Sequence, residues 1–434
     1  TTVGNSYGGA ICNWNSSDPN IANCIFTAND ADMGGGLYNN YSSPNITNCI
    51  FVGNTADSYG GGMYNYYESY PVVVNSIFSG NRADIYGGGM YNAYSNVNLT
   101  NSILWANEAY YYDEIYNYGT SNLNVTFCDV KGGWSGGVGN INEDPCFFSL
   151  DYPDGSWSEN AAYDSSTFQS TLTDENANWA VNQLAGKFVN PYTDQYLQFF
   201  IVSNNVNTIK VWSNVESIAL TGKTYHIYDY HLRVESACID TGDPNGDYKG
   251  QTDIDGEPRV FDGDYNEVPI VDMGADEYYW SQADFNTDGL VNFFDYAFFA
   301  SAWLTDPNNQ YYNEICDLVD NNCIDSNDLA RFCEDWLWQT AWARTFPFAY
   351  EQAMGRGMGK SMAESLDLLT QDLFVSVSAE KSRPQLTADD IEQMIKWLAE
   401  LWLTDDDVRN MISADDWLKF TESAIETAKQ LLYN

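Results

Sequence analysis

Short runs of alternating apolar and polar residues fill the first third of the chain, and turns rich in Gly, Asn, Asp and Ser separate them. One six-residue phrase returns at a steady interval and reads GGAICN, GGGLYN, GGGMYN, GGGMYN and YDEIYN. Its final residues are Asn13, Asn39, Asn65, Asn92 and Asn117, so the steps are 26, 26, 27 and 25 residues. Strands this short bury an apolar face only when successive copies stack, so the interval predicts a solenoid.

A second phrase keeps the same interval and aligns two columns of side chains. One column holds Cys24, Cys49, Ser76, Ser102 and Cys128, and the other holds Phe26, Phe51, Phe78 and Leu104. Stacked turns ~4.8 Å apart let every rung hydrogen-bond to the next, with like residues above one another. Residues 1–148 are therefore predicted to form a parallel β-helix with two or three strands per rung. A sandwich built from hairpins is the alternative.

The interval stops after Phe147 and resumes at Tyr230, so residues 149–229 are predicted to be an insertion. Strand-like patterns at 196–202, 208–215 and 224–228 predict a small antiparallel β subdomain. Such an insertion either carries a recognition surface or covers an open side of the solenoid.

Residues 230–280 are predicted to close the β-helix, and carboxylates are dense at their turns. These carboxylates are Asp253, Asp255, Glu257, Asp272, Asp276 and Glu277. Paired acids of this kind bind calcium, or cleave a glycosidic bond as acid and base. Asp before Gly or Pro also favours tight turns, and this structural interpretation is preferred.

A twelve-residue loop beginning at Asp284 has the oxygen-only ligand pattern of an EF-hand-like calcium site. The predicted ligands are Asp284, Asn286, Asp288, Leu290 (through its backbone carbonyl), Asn292 and Asp295. Gly289 stands at loop position 6, where the chain turns sharply.

The pattern returns 33 residues later with weaker ligands. The predicted ligands of this second loop are Asp317, Asn321, Cys323 (through its carbonyl), Asp325 and Asp328. Val319 supplies no oxygen at position 3, and Asn322 replaces Gly at position 6. The helices predicted after each loop also correspond, pairing Ala297 with Ala330, Phe299 with Phe332 and Trp303 with Trp336. Residues 281–338 are thus predicted to be a duplicated calcium module in which the first site binds calcium more tightly than the second.

The composition changes after residue 338, because 9 of the 18 basic residues fall in the last 96. Apolar residues such as Ile391, Ile395 and Leu398 recur at helical spacing, with Thr387 as a cap. Residues 339–434 are therefore predicted to form a C-terminal helical domain.

Charge narrows the function classes. Lys and Arg total 18 against 61 Asp and Glu, a net charge of −43, which repels nucleic acid and anionic membranes. With only His226 and His231, histidine-based catalysis and zinc binding have few candidate residues. No apolar run is long enough to span a bilayer. The first residue, Thr1, suggests a processed or truncated chain, and the abundant Asn and Asp suggest a secreted, calcium-rich setting.

Three resemblances extend this picture. GGGMYN with ITNCIFVGN resembles the polymorphic outer-membrane-protein type of repeat in bacterial surface and secreted right-handed β-helices, which implies an extracellular, frequently adhesive scaffold over residues 1–148. The phrases flanking the insertion and the Asp-rich closing phrases resemble those of planctomycete-like secreted β-helix proteins. Residues 281–338 resemble a type I dockerin module, which implies docking onto a cohesin domain. Helix residues that could serve this docking, or equally form core, are Phe298, Phe299, Trp303, Phe332 and Trp336.

The expected fold is mostly β: a right-handed parallel β-helix with an inserted β subdomain, a dockerin-like EF-hand pair and a helical C-terminal domain. The expected function is a non-enzymatic, calcium-stabilised structural or adhesive protein, secreted or at the cell surface. It is predicted to form a homo-oligomer or polymer through the open β edge near Thr1 and the C-terminal helices. The alternative is a polysaccharide-binding or polysaccharide-degrading protein with a cohesin-like partner. Sugar binding by Tyr38, Tyr64 and Tyr91 is a further option, although inward packing of these rings is preferred.

Overall fold

The computed structural model describes residues 6–148, 154–179, 181–263, 268–285, 291, 293–309, 311–319 and 321–335. The chain divides into two compact units, residues 1–279 and 280–434. The first contains the solenoid, the insertion and the closing segment, and the second contains the two predicted calcium loops. The predicted helical domain at 339–434 lies outside the described residues.

The first unit begins with a parallel β-solenoid of five rungs, as the interval predicts, but a complete rung holds four strands instead of two or three. Rung one comprises β1 (Ile11–Trp14), β2 (Asn20–Ala22) and β3 (Ile25–Thr27). Rung two comprises β4 (Asp30–Met33), β5 (Leu37–Asn40), β6 (Asn45–Thr47) and β7 (Ile50–Val52). Rung three comprises β8 (Thr55–Tyr59), β9 (Met63–Tyr66), β10 (Val72–Val74) and β11 (Ile77–Ser79). Rung four comprises β12 (Arg82–Tyr86), β13 (Met90–Ala93), β14 (Asn96–Thr100) and β15 (Ile103–Trp105). Rung five comprises β16 (Glu108–Tyr111), β17 (Ile115–Tyr118), β18 (Asn122–Thr126) and β19 (Asp129–Val130).

Strands at the same place in successive rungs pair in parallel to form four sheets. We call them sheet A (β4, β8, β12, β16), sheet B (β1, β5, β9, β13, β17), sheet C (β2, β6, β10, β14, β18) and sheet D (β3, β7, β11, β15, β19). Phe26, Phe51 and Phe78 pair in register and their rings stack at 4.3 and 4.5 Å in the core. The predicted Phe column is thereby confirmed.

The Cys and Ser column is confirmed as well, as a ladder of hydrogen bonds at the start of sheet D. The hydroxyls of Ser76 and Ser102 donate to the carbonyls of Val74 and Thr100, each at 2.9 Å. Each hydroxyl also accepts the backbone N–H of the column residue one rung earlier, at 3.3 Å from Cys49 and 3.2 Å from Ser76. A small side chain that both donates and accepts therefore satisfies the hydrogen-bonding groups of the backbone where the rung turns.

Asparagine side chains form two buried ladders inside the solenoid. One runs through Asn13, Asn39, Asn65, Asn92 and Asn117, and the other runs through Asn29, Asn54, Asn81 and Asn107. In both, each Nδ2 donates to the Oδ1 of the next rung at 2.8–2.9 Å. The second ladder ends at Glu114, whose Oε2 accepts from Asn107 Nδ2, and burial raises the pKa of Glu114 to about 7.

The glycine triplet of the repeat is required by the stacking of rungs. Gly60 has φ +65°, in the left-handed region that glycine tolerates. A Cβ on Gly61 would lie 2.4 Å from the carbonyl oxygen of Arg82 in the following rung. Asp113 and Glu114 occupy the second and third triplet positions of rung five. Sheets A and B end at this rung, so no following strand restricts the space for these side chains.

The insertion folds as a seven-stranded antiparallel sheet, and its two ends come together as predicted. Phe147 forms a bridge with Leu232, and the Arg233 N–H donates to the Cys146 carbonyl at 3.2 Å. The strand order is β20-β26-β23-β24-β25-β22-β21. The strands are β20 (Gly155–Ser156), β21 (Ala162–Asp164), β22 (Gln169–Thr173), β23 (Phe188–Asn190), β24 (Phe199–Asn204), β25 (Thr208–Trp212) and β26 (Thr224–Tyr228).

The insertion and the closing segment each cover one corner of the solenoid. Gln198 lies against the turns between sheets D and A, where a Cβ on Gly53 would come within 2.4 Å of its backbone nitrogen. The closing segment lies on the turns between sheets C and D, where Asn101 binds Tyr248 Oη and the Asp243 amide, each at 2.8 Å. Its described residues form turns and isolated bridges in place of the predicted resumed rung, because it packs across the asparagine turns instead of stacking on rung five.

The described part of the second unit contains two nine-residue helices, α1 (Phe293–Ser301) and α2 (Ser326–Glu334), with a short 3-10 helix at Glu314–Cys316. The second helix begins 33 residues after the first, which is the interval of the predicted duplication. The Phe299 and Phe332 rings stack at 5.5 Å inside the core of this unit. These two rings are therefore core residues, and the correspondence of the two halves extends to packing.

Candidate functional site

One continuous network of ring contacts covers the outside of sheet B and its borders. We call it the tyrosine face, and it comprises Trp14, Tyr7, Tyr38, Tyr41, Tyr59, Tyr64, Tyr66, Tyr67, Tyr86, Tyr91, Tyr94, Tyr110, Tyr111, Tyr112, Tyr116 and Tyr118. A contiguous patch of exposed aromatic rings on a protein surface is a candidate binding site for a partner or ligand.

The face has a buried layer that supports it. Along β9, Met63 belongs to the solenoid core and Tyr64 to a separate tyrosine cluster, because successive strand residues point to opposite sides. Tyr38, Tyr64 and Tyr91 are nonetheless only 2%, 5% and 6% exposed, since neighbouring tyrosines enclose them. The prediction that these three rings point into the solenoid is wrong, because they point outward from sheet B. The rings are nevertheless buried.

The exposed layer contains a row in an unfavourable backbone conformation. Tyr41, Tyr67 and Tyr94, which we call the tyrosine strip, follow sheet B at φ of +47°, +41° and +55°. Bulky residues rarely adopt this left-handed region. Their rings are 44%, 39% and 38% exposed.

The same turn position shows what the backbone itself prefers. Rung one has Asn15 there, at φ +55°, and rung five has Gly119, at φ +71°. In the turns between sheets C and D the residues at this conformation are Asn23, Asn48, Asn75 and Asn101 in rungs one to four and Phe127 in rung five, so asparagine is usual there. Asn and Gly are the usual residues at positive φ, so tyrosine in rungs two to four indicates a role for the ring. In the sequence these tyrosines align with Asn15 and Gly119, but the alignment gains its meaning only from the shared backbone conformation.

The rings of the strip are tilted and offset along the solenoid. Tyr41 and Tyr67 lie 5.9 Å apart with an interplanar angle of 17°, and Tyr67 and Tyr94 lie 5.2 Å apart at 27°. The buried Phe stack has shorter separations, 4.3 and 4.5 Å, and nearly parallel planes. The longer spacing means that the strip rings overlap only partly, so part of each ring face remains available.

Acidic side chains surround the tyrosine face. Glu68 follows Tyr67 directly and is exposed, and Asp57 lies two residues before Tyr59 on sheet A. Partial burial and then the carboxylates of Asp30, Asp32 and Asp84 raise the pKa of Asp57, which shows that like charges are close together there.

The basic residues of this region are engaged elsewhere. Residues 1–148 contain two of them, Arg82 and Lys131. Arg82 pairs with Asp84 at 3.0 Å and stacks on Tyr196 of the insertion, and Lys131 lies over the Trp105 ring. The face is therefore aromatic and acidic.

The carboxylates of the closing segment serve the backbone, in agreement with the preferred structural interpretation. Asp253 Oδ1 accepts the amides of Asp255, Gly256 and Glu257 at 2.8–3.0 Å. Asp272 accepts the amides of Asp240 and Tyr278. Buried acids thus replace the sheet ladder in a segment whose described residues form no regular strands.

One group in the closing segment has the spacing of metal ligands. Ligand atoms of Asp253, Asp255, Glu257 and Asp276 lie within 4.8 Å of one another, and those of His231, Asp255 and Asp276 do so too. Burial alone would lower the pKa of His231, but the surrounding carboxylates, led by Asp229, raise it well above its usual value. The imidazole of His231 thus contacts Asp255, and backbone amides donate to Asp253 and Asp276, while burial raises the pKa of Asp276 well above its usual value.

Loop one of the second unit is described at residues 284–285, 291 and 293–295. Asp284 and Asp295, the predicted ligands at positions 1 and 12, are both buried. Carboxylates at these two positions fit the oxygen ligand pattern of a calcium loop. The predicted ligands Asn286, Asp288, Leu290 and Asn292 lie outside the described residues.

Loop two is folded by its own acids. Asp317 Oδ1 accepts the Asn321 amide at 3.0 Å, and Asp328 accepts the amides of Val319 and Asp325 at 3.1 and 2.8 Å. Asn322 has φ +63°, the conformation that glycine supplies at position 6. The substitution at position 6 is therefore accommodated, whereas Val319 supplies no oxygen at position 3. The carbonyl of Cys323 and the carboxylate of Asp325 remain predicted ligands.

Comparison of the chain with protein-family models, with curated proteins and with solved structures gave no match. None of the helices in the described ranges has the length and apolar character needed to cross a membrane. The inferences about function therefore depend on the geometry of the sites.

Proposed function

We propose that this protein is a non-enzymatic, extracellular adhesive protein whose solenoid binds polysaccharide through the tyrosine strip. The observation that carries the proposal is the positive φ of Tyr41, Tyr67 and Tyr94, whose rings are exposed. A left-handed conformation costs a bulky residue roughly 1 kcal/mol or more. Strain retained at the same position of three successive rungs supports a role in binding.

A polysaccharide suits this surface better than a protein or a nucleic acid. Rings repeated once per rung present identical contacts at regular intervals, which matches a ligand made of repeated units. A nucleic acid is also periodic and stacks on aromatic rings, but its phosphates would be repelled by a chain of net charge −43. The insertion and the closing segment cover other corners of the solenoid, and the strip is exposed.

The test replaces the strip by the residue that rung one uses at this position. The triple variant Tyr41→Asn, Tyr67→Asn, Tyr94→Asn should weaken polysaccharide binding about 100-fold, because each lost stacking contact is worth about 1 kcal/mol. Its melting temperature should stay equal or rise, since Asn adopts positive φ readily. Affinity electrophoresis in gels containing soluble glucan, mannan or xylan, with pull-down on insoluble cellulose, measures the binding.

Trp212→Ala is the matched control, because Trp212 is an exposed aromatic residue of the insertion, outside the tyrosine face. It should bind like the unchanged protein. If the triple variant keeps full affinity, or if no polysaccharide binds the unchanged protein, the proposal is wrong. If the unchanged protein retains a protein partner and the triple variant does not, the strip is assigned to protein recognition instead.

We further propose that residues 281–338 bind calcium as a dockerin-like module, with a cohesin-like protein as possible partner. The buried Asp284 and Asp295, the left-handed Asn322 and the matched helices α1 and α2 support this proposal. Phe298 is exposed on α1 and is the docking candidate, whereas Phe299 and Phe332 are core. The helical domain at 339–434, the right-handed sense of the solenoid, the secreted location and self-assembly into filaments or layers remain predictions.

Removing calcium should lower the melting temperature of the second unit, because binding to the folded state alone adds RT ln(1 + [L]/Kd) to its stability. Calorimetry at millimolar calcium and after excess EGTA measures this shift, and electron microscopy of the same samples shows whether filaments dissolve. Asp295→Asn should reduce the calcium response, and Asp328→Asn should reduce it less. Identical melting curves with and without EGTA would rule out a stabilising calcium site, and single particles in both conditions would rule out assembly.

A further inference from the structure

The charge around the tyrosine strip restricts the polysaccharides that it can accept. Uronic acid and sulfated polymers carry a negative charge on most units and need cations to bind. Glu68 lies next to Tyr67, while Arg82 is occupied by Asp84 and Tyr196. An acidic polymer on this face would meet carboxylates without a compensating positive charge.

The direction of the strip restricts how the polymer lies. Its rings follow one another along the solenoid axis at 5.9 and 5.2 Å, and the row ends at Gly119 in rung five. Rungs repeat every ~4.8 Å, which is comparable to the length of one sugar unit in an extended β-1,4-linked chain. A chain lying along the axis therefore meets one ring per sugar, whereas a chain crossing the sheets meets far fewer strip rings.

We infer that the tyrosine strip takes a neutral, unbranched polysaccharide chain lying lengthwise along the solenoid and rejects acidic glycans. The inference rests on the proposed function of the strip and adds the charge and the direction of the ligand. Neutral sugar rings stack their C–H faces on tyrosine, and their hydroxyl groups hydrogen-bond to water and to tyrosine hydroxyls at the edge of the face.

A length series of neutral oligosaccharides tests the direction. Calorimetric titration of the full-length protein with β-1,4-linked gluco- and manno-oligosaccharides of two to six units should show affinity rising at least tenfold. The rise should level off at roughly three units, once the ligand spans the rungs of the strip at ~4.8 Å each. Equal affinity of the disaccharide and the hexasaccharide would overturn the lengthwise placement.

Polygalacturonate at low and high salt tests the charge. Binding should be at least tenfold weaker than that of a neutral chain at low salt and should strengthen as salt screens the carboxylates. The double variant Glu68→Gln, Asp57→Asn should reduce the ratio between the affinities for the neutral polymer and for polygalacturonate several-fold. Asp262→Asn, a change far along the chain, should leave this ratio unaltered. Polygalacturonate that binds as tightly as the neutral chain at low salt would overturn the inference while leaving the proposed function intact. Absence of all glycan binding, at any length, charge or salt, would overturn both.

Discussion

Changing Asn81 to Asp should destabilise the solenoid by about 3–5 kcal/mol at neutral pH, because it places an uncompensated charge among buried acceptors. Asn81 Nδ2 donates to the Phe51 carbonyl at 2.7 Å and to Asn107 Oδ1 at 2.8 Å. The substitution changes little volume but turns this donor into an oxygen that faces two other oxygens. Urea denaturation followed by circular dichroism measures the loss.

The same variant should show a characteristic pH dependence. Protonation restores one donor, so the new carboxyl group has a higher pKa in the folded chain than the ~3.9 of an unfolded Asp. The loss of stability that the new carboxyl group causes is therefore small below the pKa of the unfolded state and grows as the pH rises through the pKa of the folded state. The difference between variant and unchanged protein should shrink from pH 7 to pH 4.

Asn45→Asp is the control for the ladder, since Asn45 makes the same kind of bond to Asn20 Oδ1, at 2.9 Å, in an exposed row. A change of less than 1 kcal/mol is expected there, because water solvates the new charge. Equal losses for the two variants would show that the buried ladder has no special weight.

Phe51→Ala should lower the free energy of unfolding by about 3–5 kcal/mol, the usual cost of removing a buried aromatic ring. Phe51 is stacked between Phe26 and Phe78, so its loss leaves a cavity and unstacks both neighbours. Rigid backbone pairing above and below limits collapse of the cavity. Phe168→Ala, at an exposed ring of the insertion, should change stability little. Similar midpoints for both variants would mean that the stack contributes no more than surface packing.

The columns of the solenoid were predictable because parallel in-register pairing converts a sequence interval directly into a spatial one. Phe26, Phe51 and Phe78 needed only the spacing to be aligned. The number of strands per rung was underestimated, because three-residue strands ending at an Asn of positive φ have the composition of turns. The joining of Phe147 to Leu232 across the insertion followed from the interruption of the interval.

The direction of the tyrosines was harder to predict. Met63, Tyr64 and Asn65 alternate, but an asparagine ladder occupies the inside of the solenoid, so polarity does not reveal which side is buried. The strip itself was recognisable only once Tyr41, Tyr67 and Tyr94 were known to share the backbone conformation of Asn15 and Gly119. Similarly, the accommodation of Asn322 in the second calcium loop depends on a dihedral angle that spacing does not report.

Each of the two buried asparagine ladders has an electrical direction. Every amide in them points its N–H toward the higher-numbered rung, so their dipoles add along the axis as peptide dipoles add along a helix. The positive pole lies at rung five, where Glu114 receives the last N–H of its row. A carboxylate is favoured at that pole and disfavoured at the opposite one. Each ladder thus has unlike poles at its two ends, and the buried side chains of Asn48 and Asn101, which donate to the lower-numbered rung, partly oppose this polarity.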